Sequence, residues 1–203
     1  MYLLKMTGDG LSPADKGRAL FDSYALHKMI YAELCAHDGA GRDFLYRQVV
    51  GASLPTVYAV SPRVPKSDVW TVQSRPMRTE YEIGDRLAFQ LRANPVLERD
   101  GRRFGVVMDA IKSGASRRDA ETTAPAEWLE KRGDRFGFDL EVTNVDLITV
   151  DEISRSRRVM RKERVDMSGI MTVIDTARFS DLLHKGVGRS RAFGYGMLMV
   201  KRA

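Results

Sequence analysis

Imidazole is the one side chain whose ordinary titration lies near neutrality, and this chain has three: His27, His37 and His184. Tyr24 stands three residues before His27 and Tyr31 four after, so on a helix the three share one face. A histidine so placed can act as a general acid or base. The same spacing also describes a histidine packed in an aromatic stripe, and position alone favours that simpler reading. A metal centre is not expected. His27 and His37 are ten residues apart, His184 is remote, and no HExxH stretch occurs. Walker A and dinucleotide fingerprints are missing, so nucleotide hydrolysis and hydride transfer have no support. A Ser-His-Asp triad stays open, although the GxSxG elbow is absent.

A second kind of chemistry is suggested by glycine and arginine together. Residues 186–196 hold Gly186, Gly188, Gly194 and Gly196, with Arg189, Ser190 and Arg191 between them. Such glycines let a backbone approach a phosphate or another chain closely. The arginines favour phosphate contact at Gly186, Gly188, Arg189, Ser190 and Arg191 over a merely tight connection. Arg191 to Gly196 also resembles the aromatic strand motif of an RNA-recognition module, without its second-position glycine. Residues 155–164 set Arg155, Arg157, Arg158, Arg161, Lys162 and Arg164 against a single acid, Glu163. That cluster is either a salt-sensitive grip on RNA or DNA or a solvated hairpin, and the sequence weighs the two evenly. Arg102-Arg103 and Arg117-Arg118 add two basic pairs. Lys plus Arg is 33 and Asp plus Glu 27, a net charge of +6, which favours a polyanionic partner.

These residues need elements to hold them. The spacing predicts a strand over 2–7, broken by Gly8, Gly10 and Pro13, and then one helix over 15–36 with Leu20, Tyr24, Tyr31 and Leu34 on its apolar side. Gly39 and Gly41 are expected to end it. Strands are expected at 44–50, 56–60 and 69–73, and the clearest of the first half at 86–96, where Leu87, Phe89 and Leu91 alternate with Ala88, Gln90 and Arg92. Residues 97–124 read as a long polar connection. A helix is expected over 125–136, strands at 138–142, 146–150 and 165–174, a short helix at 177–185 and a last strand at 196–200. The order fits two small α+β units, residues 1–96 and 97–203. The 203 residues are 43% apolar and 30% charged, which excludes wholesale disorder and a membrane bundle. The start is charged too soon for a signal peptide, and no apolar run nears the ~18 residues of a span. With a single cysteine, Cys35, these features lead us to expect a soluble protein of a reducing cytoplasm, with no membrane partner.

Taken together, these strings resemble the CasE-type endoribonucleases of type I-E CRISPR systems, in the RAMP superfamily. Tyr24-Ala25-Leu26-His27 matches the family's Tyr-x-x-His on its first helix. Arg42-Asp43-Phe44-Leu45 matches its RDFL segment and Leu91-Arg92-Ala93-Asn94-Pro95 its LRANP segment. Gly101-Arg102-Arg103 and Trp128-Leu129 follow in the expected order, and Gly186–Gly196 matches the glycine-rich signature before the last strand. Val187, Arg191 and Tyr195 stand where members often carry Ile, Lys and Cys, and residues 110–124 run longer than usual.

The resemblance implies an α+β chain of two tandem ferredoxin-like (RRM-like) domains with antiparallel sheets. It implies metal-independent cleavage of precursor CRISPR RNA at the repeat hairpin, with no cofactor. It also implies retention of the mature crRNA among other Cascade subunits. His27 becomes the catalytic histidine and Tyr24 its companion, with stem contact expected from Arg102, Arg103, Arg117 and Arg118. A non-catalytic hairpin-binding subunit of the same fold is the alternative. A protein scaffold facing an acidic partner is a third reading.

Overall fold

The computed structural model describes residues 1–35, 37, 41–155 and 158–203, with the side chains of Arg155 and Arg158 left out. Two compact units emerge. One comprises Met1–Arg78, Glu152–Arg161 and Arg191–Gly194, the other Thr79–Asp151, Lys162–Ser190 and Tyr195–Ala203. The chain is mixed α and β with antiparallel sheets in both, as expected. Among the described residues no helix is long and apolar enough to cross a membrane.

The first unit runs β1 (Tyr2–Thr7), α1 (Pro13–Phe21), α2 (Ser23–Leu34), β2 (Leu45–Gln48), β3 (Thr56–Ser61) and β4 (Thr71–Pro76). Its sheet has the order β2-β3-β1-β4, with Leu4 opposite both Ala59 and Ser74. Leu4 and Met6 alternate along β1 and join Leu26, Ile30, Leu34, Phe44, Tyr46 and Trp70 in the core. The single helix expected over 15–36 is two helices. Asp22 is extended (φ −120°, ψ 101°), and its side chain accepts from the backbone N–H groups of Tyr24 and Ala25. A carboxylate in that position starts a new helix more favourably than it continues an old one. Gly39, expected at the helix end, lies outside the described residues.

The second unit holds β5 (Arg86–Ala93), β6 (Val96–Arg99), β7 (Arg102–Gly105), α3 (Val106–Lys112), α4 (Arg117–Glu130), α5 (Gly133–Phe136), most of β8 (Phe138–Arg155) and β9 (Arg158–Val173), α6 (Thr176–Lys185) and β10 (Leu198–Arg202). The sheet order is β10-β5-β9-β8. Counting each sheet's strands in chain order, both read 4-1-3-2, the ferredoxin-like arrangement. The 86–96 strand, read with the first half, is central to this second sheet and stops at Ala93. Leu87, Phe89 and Leu91 do face the core. Opposite Phe89 lies Gly169, where an added Cβ would meet the Val142 carbonyl oxygen at 1.9 Å.

The expected long connection at 97–124 is mostly regular structure. Asp100 and Gly101, both with positive φ (51° and 70°), close the β6–β7 hairpin. Ser116 caps α4 by accepting from the Asp119 N–H. Helix α4 therefore starts well before Pro125, which it carries in its interior. The two strands expected at 138–142 and 146–150 are the single strand β8.

Candidate functional site

His27 sits on α2, and the sequence ties α2 down at both ends. Asp22 caps its start. At its finish, Arg63 donates to the Leu34 carbonyl at 2.6 Å and forms a two-pronged pair with Asp43, which holds that carboxyl below its usual range. One face of α2 packs Leu26, Ile30 and Leu34 into the core. The half-buried Tyr24, His27 and Tyr31 lie beside it, one helical turn apart.

The imidazole is held on several sides. Tyr31 meets it edge-on, with ring centres 4.5 Å apart, and Phe193 lies tilted at 5.1 Å. Tyr24 is stacked at 6.0 Å with 28° between planes. His27 Nδ1 is 2.7 Å from the Ala192 carbonyl oxygen. A carbonyl only accepts, so Nδ1 carries the proton; in the neutral ring Nε2 then carries the lone pair. The Tyr46 hydroxyl donates to the same carbonyl at 3.1 Å. Ala192 belongs to a short 3-10 turn, Arg191–Phe193, in the first unit. The arrangement can hold one tautomer and move a proton at Nε2.

Cationic charge gathers nearby. Arg42 is half-buried, and its Nη1 is buried without a hydrogen-bond partner among the described residues. Burial lowers its pKa; Arg191 lowers it further by charge repulsion, while Tyr31 and Tyr46 oppose the shift. A half-buried guanidinium with an orphaned donor suits an anion. On α2 itself, Lys28 Nζ lies 5.3 Å from the Tyr24 ring centre. Neither Arg42 nor Lys28 was singled out for chemistry from the sequence. Arg42 lay inside the RDFL string, and its partnerless burial depends on neighbours far along the chain.

The remaining predicted residues occupy several places. Arg102 and Arg103 are on β7, with Arg103 Nε 3.5 Å from Glu98. Arg117 and Arg118 begin α4, where Arg117 pairs with Glu121 at 3.2 Å. Arg161 and Lys162 lie on β9, and Arg161 pairs with Glu152 at 2.9 Å. Arg164 is turned inward and pairs with Asp151 at 3.1 Å. Arg157 and the side chains of Arg155 and Arg158 lie outside what the structure describes.

The glycine-rich loop divides between the units. In the second, Gly186 and Gly188 have positive φ, and an added Cβ on Gly188 would meet the Trp128 ring at 3.0 Å. Arg189 is paired with Glu98 at 2.5 Å. Ser190 has a positive φ of 61°, and its hydroxyl accepts from Asn94 Nδ2 at 2.9 Å. The Leu91–Pro95 string supports this loop. Arg92 forms a buried two-pronged pair with Asp166, and its carbonyl accepts from the Gly196 N–H at 2.7 Å. Tyr195 is buried, its hydroxyl donating to Asp151 at 2.5 Å. The glycines thus have a packing role here that the phosphate reading did not require. In the first unit Arg191 and Gly194 flank the Ala192–Phe193 pair that meets His27.

Two ferredoxin-like sheets and a helix-borne histidine braced by a carbonyl define the class. The chain belongs to the CRISPR associated protein family, whose family model matches residues 1–202. Among its relatives is the CRISPR-associated endoribonuclease Cse3 of Thermus thermophilus, 25% identical, the match covering 98% of this chain and 99% of Cse3. The fold matches the structure of Cse3 bound to a 19-nucleotide RNA, with a TM-score of 0.79 and 24% identity, covering 99% of this chain and 100% of that one. It also matches Cas6e from Escherichia coli K-12, with a TM-score of 0.73 and 20% identity, covering both chains fully. A chain of a CRISPR RNA-guided surveillance complex matches at 0.73 with 19% identity, again over both full lengths.

Proposed function

We propose that this protein is an endoribonuclease that cleaves precursor CRISPR RNA at the repeat hairpin. It leaves a 2′,3′-cyclic phosphate and a 5′-hydroxyl, and it stays on the mature guide as a Cascade subunit in the cytoplasm. The observation that carries the reading is His27, its Nδ1 held by the Ala192 carbonyl, in a chain similar end to end to an endoribonuclease whose structures include RNA complexes.

A ribose 2′-oxygen attacks the adjacent phosphorus and the 5′-oxygen leaves. His27 Nε2 either takes the 2′ proton or, when the ring is protonated, gives one to the leaving oxygen. Such transfer contributes roughly 10²–10⁴-fold. Tyr24 orients the 2′-hydroxyl or shares the proton. Arg42 and Arg191 supply positive charge for the phosphorane. The nucleophile belongs to the RNA, so the reaction uses no metal, and DNA is bound without being cut. The stem is read through its phosphates and A-form shape by Arg102, Arg103, Arg117 and Arg118, with the 155–164 segment and the 186–191 backbone adding phosphate contacts.

The test is a cleavage assay in EDTA on a repeat hairpin, with His27→Ala beside the parent. The parent is expected to cut, and the variant to lose cleavage while keeping hairpin affinity within about threefold, because only a proton-transfer group has gone. A variant that cuts at the parental rate removes His27 from the chemistry. A parent that binds and never cuts makes the chain the non-catalytic hairpin-binding subunit.

A further inference from the structure

Resting on the assignment of His27 above, we infer that Tyr46 is a positioning residue that acts through the Ala192 carbonyl to hold His27 in one tautomer, with Nε2 as the reacting nitrogen. Tyr46 touches neither substrate nor the proton in flight on this account. Its hydroxyl donates to the Ala192 oxygen at 3.1 Å, while His27 Nδ1 approaches the same oxygen at 2.7 Å. A carbonyl oxygen has two lone pairs, and two donors arriving together fix the direction of its peptide plane. With only one donor the plane is free to tilt, and the imidazole can exchange its Nδ1–H form for the Nε2–H form, which offers no base at Nε2.

Three further features make Tyr46 suited to this work. It is 1% exposed, so its hydroxyl has little access to water as a rival acceptor. Burial raises its pKa far above neutrality, so it donates at every working pH and never competes for the His27 proton. Its ring also supports the turn directly: an added Cβ on Gly194, whose φ is +83°, would meet Tyr46 Cε2 at 3.2 Å. Strand β2 supplies the residue and α2 the histidine, and the Arg191–Phe193 turn packs against both. Tyr31 extends the contact, its ring 5.2 Å from that of Phe44.

The experiment is Tyr46→Phe, which deletes one oxygen and keeps the ring against Gly194. Two readouts are taken on the full chain: the His27 tautomer by ¹⁵N NMR of histidine-labelled protein, and single-turnover cleavage with hairpin affinity measured separately. The parent is expected to show neutral His27 protonated at Nδ1, and the variant a mixture of both neutral forms. Cleavage is expected to fall about five- to tenfold, the scale of one hydrogen bond, with affinity unchanged. A parent protonated at Nε2, or a variant with the parental tautomer, overturns the inference. So does a cleavage loss that merely follows lost affinity. The NMR arm needs no RNA, so failure of this inference is separate from failure of the His27 assignment, which His27→Ala reports.

Discussion

A carboxyl group placed where water is scarce shows how single residues set the stability of this chain. Glu163 on β9 is half-buried, accepts from the Val107 N–H and has an Oε2 with no hydrogen-bond partner among the described residues. Burial raises its pKa above the ordinary 4.5, against the lowering effect of that one N–H. The folded state therefore holds this proton more tightly than the unfolded one. Stability from this group is intact below about pH 4.5 and falls as pH rises through the raised value. Glu163→Gln keeps an acceptor for Val107 and carries no charge. Denaturant melts at pH 4 and pH 7 should show the variant more stable than the parent only at pH 7. Equal gains at both pH values would mean that packing, not ionisation, sets the effect.

At the scale of elements, the join between α1 and α2 governs the site. Asp22 ends one helix, its N–H donating to the Arg18 carbonyl, and starts the next, its carboxylate accepting from Tyr24 and Ala25. Loss of a helix cap costs about 1 kcal/mol, within a range of roughly 0.5–2. Asp22→Ala should therefore lower unfolding free energy by about 1 kcal/mol in urea melts. The first turn of α2 carries Tyr24 and the next carries His27, so fraying should also slow cleavage. Asp22→Asn, which keeps a capping oxygen, should recover most of both losses. If Asn behaves like Ala, the cap is not what holds the helix.

For the whole molecule, net charge favours a polyanionic partner. The net +6 comes from the first unit, where 15 Lys and Arg stand against 8 Asp and Glu, and each phosphate contact releases bound counterions. Log affinity for a repeat hairpin should fall linearly with log salt. Changing Arg102 or Arg118 to Ala should weaken binding and flatten that slope by up to about one unit per contact. Arg103, Arg117 and Arg189 already face Glu98 or Glu121, so their removal should flatten it less. A slope unmoved by Arg102→Ala and Arg118→Ala would place those side chains away from RNA.

Local pattern determined a good part of this protein. Alternation marked β5 and glycines marked one segment of the site. The spacing around His27 by itself fitted a packed aromatic stripe, and only the resemblance to the family gave it a role. The Asp100-Gly101 pair was there to signal a hairpin that its charged flanks obscured. These features depend on neighbours a few residues away, where backbone geometry leaves little choice. The Asp22 break was harder to read, because the apolar period runs on across it. Only the tertiary structure decided what faces His27. Its partner is the Ala192 carbonyl, 165 residues along the chain, and a carbonyl belongs to every residue type alike. The same holds for Tyr46 on that oxygen, for Arg164 paired inward with Asp151, and for Asn94 holding Ser190. Which distant groups meet is settled by packing of the whole unit, and residue identity at either end does not encode it.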